Sequence, residues 1–259
     1  MMFVTMFTIL IMAIAGYFSR LLTISGAAAA FVVGSLIALG LGVKGLIILG
    51  LFFCSSSLWS KIKSTKKERA EELLLKGSQR DWQQVVANGG LAALSSAIYY
   101  FTDDFFWIIG FCICLAASNS DTWASEIGSM SKREPIDIKS FRRVARGTSG
   151  AVSLLGTFAA AAGSFLIAFG AFIFFRLQLD ECLFIFILGF SGNIIDTLLG
   201  AFVQASYQCP HCGLKTEKII HCGQNTRLMK GYSILNNDVV NFLSVFFVLL
   251  ISRLVWEVY

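Results

Sequence analysis

The 259 residues are 56% hydrophobic and 14% charged, with a mean hydropathy of +0.72. That balance excludes an ordinary soluble domain and fits an all-α polytopic membrane helix bundle. The net charge of +5 sits in a few loops, so it reports topology and gives no ground for nucleic-acid binding.

A bilayer span needs roughly 20 apolar residues. Segments 2–19, 24–42, 45–60, 84–102, 104–120, 148–175, 182–205 and 238–256 reach or approach that length. The third and fifth are short, so the count is seven or eight transmembrane helices. The first segment ends in Ala13-Ile14-Ala15, which looks like a cleavage site. No basic residue precedes its apolar run, so it reads as a retained span and not a signal peptide.

Of the 21 Lys and Arg, 17 lie in loops 60–83, 129–147 and 206–232. An eight-helix count places all three on one side, which the positive-inside rule makes cytoplasmic, with both termini outside. The opposite loops hold Asp103-Asp104 and Arg176 with Asp180-Glu181. The chain thus reads as a single integral membrane domain, 1–259, with three cytoplasmic loops. Short loops and the lack of an organellar presequence point to a prokaryotic plasma membrane.

The first basic loop, Lys61 to Asp81, alternates charges around Leu73-Leu74-Leu75 and reads as a short amphipathic helix at the headgroups. Two roles fit it: capture of an anionic lipid, or simple orientation of the chain.

The fifth segment runs into Asn119-Ser-Asp121-Thr122-Trp-Ala-Ser125-Glu126-Ile-Gly128. Ionisable groups at membrane depth are costly and mark functional sites. With the loop and terminal acids set aside, Asp121, Glu126, Asp196 and Asp238 remain, all at expected cytoplasmic helix ends. Asn119-x-Asp121-Thr122 is echoed by Asn193-x-x-Asp196-Thr197. Acids at helix C-termini oppose the helix dipole and call for a cation, and oxygen-rich ligands suit Mg2+. If the helix continues through the motif, Asp121 faces Ser125 and Thr122 faces Glu126.

Residues 139–150 place Arg142, Arg143 and Arg146 before Gly147-Thr148-Ser149-Gly150, expected at the start of the sixth helix. Arginine forks and free backbone amides there make a phosphate site. Gly156, Gly163 and Gly170 recur every seventh residue and are assigned to packing. The acids and the anion site together suggest a magnesium-bound polyphosphate at the cytoplasmic membrane face.

The last basic loop holds Cys209-Pro-His211-Cys212-Gly and His221-Cys222-Gly, a spacing of zinc-knuckle character. Cys209, Cys212, Cys222 and either His221 or His211 complete four ligands for structural Zn2+. Free thiols or a redox pair are the other readings.

These motifs resemble the integral-membrane family called domain of unknown function 92, which includes the plant phytyl-phosphate kinases. The resemblance rests on Asp121-Thr-Trp-Ala-Ser-Glu-Ile-Gly128, Gly147-Thr-x-Gly150, Gly192-Asn193-x-x-Asp196-Thr-x-x-Gly200-Ala-x-x-Gln204 and Asn237-Asp238-x-Val240-Asn241. It covers roughly residues 20–250. A looser likeness links Asp121-x-x-Ala124-x-x-x-Gly128 to dolichol and phytol kinases and to CDP-diacylglycerol synthases.

The family resemblance implies transfer of a nucleoside triphosphate's γ-phosphoryl, with CTP a candidate, to an isoprenyl monophosphate. Asp121, Glu126, Asp196 and Asp238 would hold Mg2+. Arg142, Arg143, Arg146 and the Gly147–Gly150 amides would neutralise the transferred group. Asn193 and Asn241 would orient metal ligands or the acceptor. Asn119, Thr122 and Ser125 complete the expected nucleotide-binding set. No Walker A sequence is present. A cytidylyltransferase acting on a lipid phosphate, a transporter and a scaffold are the rival readings.

Overall fold

A computed structural model of the chain describes residues 2–62, 64–65, 67, 70, 72–77 and 79–258. Among these, helices α1 (Met2–Phe18), α2 (Ile24–Lys61), α3 (Trp82–Thr102), α4 (Phe106–Gly128), α5 (Leu154–Phe175), α6 (Leu179–Phe202) and α7 (Asn237–Trp256) form the bundle. Four of them, α2, α5, α6 and α7, are long and apolar enough to cross a membrane, and α1 is a shorter apolar helix.

Segments 24–42 and 45–60 join into α2, yet they remain two arms. Gly42 has φ 59° and ψ −146°, a backbone conformation essentially limited to glycine. A Cβ on Gly45 would meet the side chains of Ile37 and Leu41, so the chain has reversed on itself. The Arg80 carbonyl lies against Gly26, while its guanidinium sits 5.6 and 5.5 Å from the ring centres of Phe52 and Phe53. In a straight helix residues 26 and 52 would stand about 39 Å apart. The element is a helical hairpin.

Helix α4 is the axis of the bundle. Ile108 through Ser120 are all buried, packed by α3, α5, α6, α7 and the second arm of α2. Close approach to α5 depends on small residues. Gly156 meets Gly128, and Gly163 meets the Asn119 carbonyl and Trp123. Gly170 meets Ile48 and Leu51 of α2. This is the packing role expected of the glycine repeat.

Helix ends alternate between two poles. At one pole Arg253 donates to Asp104 at 3.0 Å and lies 4.8 Å over the Phe106 ring. At the other, Arg80 accepts from Thr23 and donates to Leu21, joining loop 61–81 to the α1–α2 turn. Loops 129–153 and 203–236 also gather there, as a hairpin of β1 (Ile136–Asp137) with β2 (Ala151–Val152) and a small strand lobe. In that lobe β3 (Ser206–Gln208) lies between β4 (Lys215–Thr216) and β7 (Arg227–Lys230), with β5 (Ile220–His221) paired to β6 (Gln224–Asn225).

Two expectations need correction, and a third lies in part outside the described residues. Asp121 and Asp196 lie inside α4 and α6, well before the last residues Gly128 and Phe202, so the terminal dipole argument does not apply to them. Asp238, at the start of segment 238–256, occupies the first turn of α7, where the dipole favours a carboxylate. Residues 147–150 do not open α5. Gly147 and Gly150 take φ of 82° and 83°, which breaks a helix, and Ser153 caps α5 by accepting from Gly156. The amphipathic helix expected over loop 61–81 falls in part on Lys66, Glu68, Arg69 and Glu71, outside the described residues.

Candidate active site

A cavity of about 320 Å³ opens among the three loops at the basic pole. Its walls come from α3, α4, α6, α7, loop 61–81 and the glycine turn 147–150. Because α4 stays helical through Gly128, Asp121, Thr122, Ser125 and Glu126 all reach this cavity.

Two carboxylates carry asparagine partners. Asn193 donates its amide to Asp121 Oδ1 at 3.2 Å. Two acceptors around Asn241 assign its amide orientation: with the nitrogen turned toward them, it donates to Asp196 Oδ2 at 3.0 Å and to the Asn237 carbonyl at 3.1 Å. The echoed motifs on α4 and α6 thus meet, each acid oriented by an amide.

The other two acids carry lysines. Glu126 accepts from Ser60 and pairs with Lys67 at 2.5 Å each, and Lys67 also donates to the Trp59 and Ser60 carbonyls. Asp238 pairs with Lys76, which also holds Asp81 at 2.6 Å. Charge opposition divides the expected metal set, since Glu126 and Asp238 are already neutralised.

Burial alone would lower the Lys76 ammonium, but Asp238 and Asp81 outweigh it and hold it above its ordinary value. Burial would raise Asp81, yet Lys76 and the Gln84 amide hold it below the usual range. A depressed carboxylate adds stability that is present above its unfolded value, about 3.9, and is lost as pH falls through the folded one. Thermal unfolding in detergent should therefore show an acid-side loss of stability below about pH 4. Asp81→Asn should shrink that loss while the neutral-pH plateau falls.

Cations complete the lining. Arg80 is half-buried, and burial lowers its guanidinium pKa against the pull of Glu126, though arginine stays charged. Arg146 donates through Nη2 to the Ser131 and Lys132 carbonyls at 3.2 and 3.4 Å. Its Nε is buried and has no partner among the described residues, leaving a donor open. Gly147 packs on Ala70 and Gly150 on Ala201 so closely that a side chain at either would collide.

The geometry gathers Asp121, Glu126, Asp196, Asp238, Asn193, Asn241, Thr122, Ser125, Arg146 and Gly147–Gly150 around one cavity. It does not bring in Arg142 or Arg143, which stand exposed on the β1 side of the loop. Asn119 is in the core, where it accepts from Ser55 and Ser56 and donates to the Gly163 carbonyl. It ties α2, α4 and α5 together.

Sequence reasoning missed Lys67, Lys76, Arg80 and Glu217. Glu217 Oε1 accepts from Ser149 and Gln204 at 2.8 Å each, and burial pushes its carboxyl up. A usable signal existed for the lysines: four acids withdrawn from full exposure at one pole call for cations nearby, and loop 61–81 holds more Lys and Arg than either other basic loop.

Apart from the cavity, the Cys209, Cys212, His221 and Cys222 ligand atoms all lie within 4.8 Å of one another. Of the two histidines, His221 joins this cluster.

Comparison with known proteins gives one family. The profile of the integral membrane protein DUF92 family matches residues 7–249. Protein PGR of Arabidopsis thaliana is 30% identical over 91% of this chain and 89% of its own. An uncharacterized membrane protein of Methanocaldococcus jannaschii is 32% identical over 78% of this chain and 83% of its own. The chloroplastic protein VTE6 of Arabidopsis thaliana is 26% identical over 86% of this chain and 62% of its own. No solved structure matches the chain. Family match and helical architecture agree, and the chain belongs to the integral membrane protein DUF92 family.

Proposed function

We propose that this membrane protein is a magnesium-dependent phosphotransferase that moves a nucleoside triphosphate's γ-phosphoryl group, with CTP a candidate donor, to an isoprenyl monophosphate. The observation that carries the reading is the cavity itself. Two amide-oriented carboxylates, Asp121 and Asp196, line the same cavity as Lys67, Lys76, Arg80 and Arg146. Carboxylates for a hard cation and fixed cations for phosphate oxygens are the parts that phosphoryl transfer uses.

Asp121 and Asp196 would hold Mg2+, whose charge would screen the donor phosphates. Arg80, Arg146 and the 147–150 turn would bind the two phosphate groups and fix them in line. An oxygen of the prenyl phosphate attacks the γ-phosphorus as the bond to the bridging oxygen breaks, and the nucleoside diphosphate leaves with that electron pair. No proton need move, so no histidine base is required. Lys67 and Lys76 would keep Glu126 and Asp238 from repelling the entering phosphates.

Topology supports the same reading. Counting the α2 hairpin as two crossings and every described helix as a span would give eight, and the positive-inside rule would then put the basic pole in the cytoplasm, where nucleotides are found. The acceptor's isoprenoid tail would lie among the membrane helices with its phosphate at their ends. The motif resemblance to plant phytyl-phosphate kinases supports this acceptor class.

Thermal unfolding of the purified protein in detergent tests nucleotide capture. With magnesium and a nucleoside triphosphate at 100 times its Kd, stabilisation should reach about 2.7 kcal/mol. Stabilisation should vanish with a chelator present. No shift with any nucleoside triphosphate would turn the reading toward transport or scaffolding.

A further inference from the structure

The strand lobe that closes the cavity lacks a core of its own. Between Ser206 and Lys230 only Tyr207, Cys209 and Thr216 are buried. Segments this short hold their shape through metals or disulfides when apolar burial fails them.

Two turns meet at one point of that lobe. The β3–β4 turn delivers Cys209 and Cys212, and it is closed by Gly213 N to the Cys209 carbonyl and Cys209 N to the Leu214 carbonyl, both 2.9 Å. Gly213 takes φ 73° to close it. The β5–β6 turn delivers His221 and Cys222, with Cys222 and Gly223 at φ 51° and 71°. His221 Nδ1 lies 3.5 Å from the Cys212 sulfur and 3.3 Å from the Cys222 sulfur. Ligands around tetrahedral zinc stand about 3.5–3.8 Å apart, given usual Zn–S and Zn–N bonds. Three sulfurs and one imidazole are a soft donor set that selects zinc over magnesium. A disulfide would use two of the cysteines and leave the third and the imidazole without a role.

The chain leaving this cluster runs straight into the cavity. Beyond Cys212, strand β4 pairs with β3 through Tyr207 opposite Thr216. The Thr216 hydroxyl and the Glu217 amide both donate to the Leu73 carbonyl, at 2.7 and 2.8 Å. The Glu217 carboxylate then receives Ser149 of the glycine turn and Gln204 at the end of α6. One residue pair thereby ties loop 61–81, the glycine turn and the strand lobe together.

We propose that Cys209, Cys212, His221 and Cys222 bind a structural zinc ion, and that this ion fixes Glu217 as the clasp of the cavity. The zinc ion takes no part in chemistry. The inference rests on donor geometry and stands whether or not the cavity transfers phosphate.

Three measurements on the full-length protein in detergent test it. Elemental analysis after expression in zinc-supplemented medium should find about one zinc per chain. Cys212→Ser with Cys222→Ser should lower this to about a tenth or less. Replacing zinc by cobalt(II) should give the visible bands of a tetrahedral thiolate complex, a readout that survives if the double variant fails to fold. Hydrogen exchange should show the Glu217 amide losing its protection when a chelator strips the wild type, while amides within α4 stay protected. A zinc-free wild type, undiminished zinc in the double variant, or octahedral cobalt spectra would overturn the site. An unchanged Glu217 amide after stripping would overturn the clasp.

Discussion

Asp121→Asn should cut turnover by about three orders of magnitude while leaving the protein folded. The substituted side chain keeps its size and still offers a carbonyl oxygen to the Asn193 amide, which now reaches Asp121 at 3.2 Å. What disappears is one negative charge at the floor of the cavity, and with it a hard-cation ligand. Losing a ligand to the charge-stabilising group of a phosphoryl transfer should cost about 10³-fold in kcat, about 4 kcal/mol. Magnesium titration should show a weaker apparent affinity in the variant. Wild-type kcat in Asp121→Asn would remove this residue from the metal site. Thermal stability no lower than that of the wild type is the control, because the variant relieves repulsion with nearby acids.

Arg80→Gln should act on the other side of the balance, through substrate affinity. The guanidinium is held over Phe52 and Phe53 and lines the cavity. Its backbone bonds to Leu21 and Thr23 do not depend on the side chain, so the join between the loop and the α1–α2 turn should persist. A charge-assisted hydrogen bond to phosphate is worth about 1.5–3 kcal/mol, so KM for the phosphate substrates should rise about 10- to 100-fold. Arg80→Lys should recover little of this, since a lysine cannot reproduce the flat fork stacked on two rings. A loss of kcat at unchanged KM would place Arg80 in transition-state stabilisation instead.

Hydropathy made the helices legible, because the lipid and the packed core both demand long apolar runs. The α2 hairpin was legible too, as two segments meeting near Lys44, although the reversal itself occurs at Gly42. What hydropathy could not fix was where helices end in polar sequence. Helix α4 runs on to Gly128 because its polar motif faces a cavity and Glu126 finds Lys67. Helix α5 starts late because Gly147 and Gly150 turn the chain at positive φ.

The carboxylate half of the site was readable, since an acid within an apolar segment is costly wherever it points. The basic half was readable as loops but not as side chains. Charge counting along 60–83 and 129–147 tells which side a loop lies on, not which lysines fold inward. Thus Lys67, Lys76 and Arg80 were missed, while Arg142 and Arg143 were included and stand exposed. Glu217 escaped for the same reason. It looks like a loop acid until the strand lobe folds back and sets it against Ser149 and Gln204.

The most direct test of the proposed reaction is the identity of the product. Purified protein, magnesium and a panel of nucleoside triphosphates would be incubated with phytyl, geranylgeranyl or farnesyl monophosphate, and the lipid extract resolved by mass spectrometry. The account predicts a prenyl diphosphate and a stoichiometric nucleoside diphosphate. A nucleotide-linked lipid with released pyrophosphate would contradict it and make the cavity that of a cytidylyltransferase, and no product with any acceptor would contradict catalysis itself.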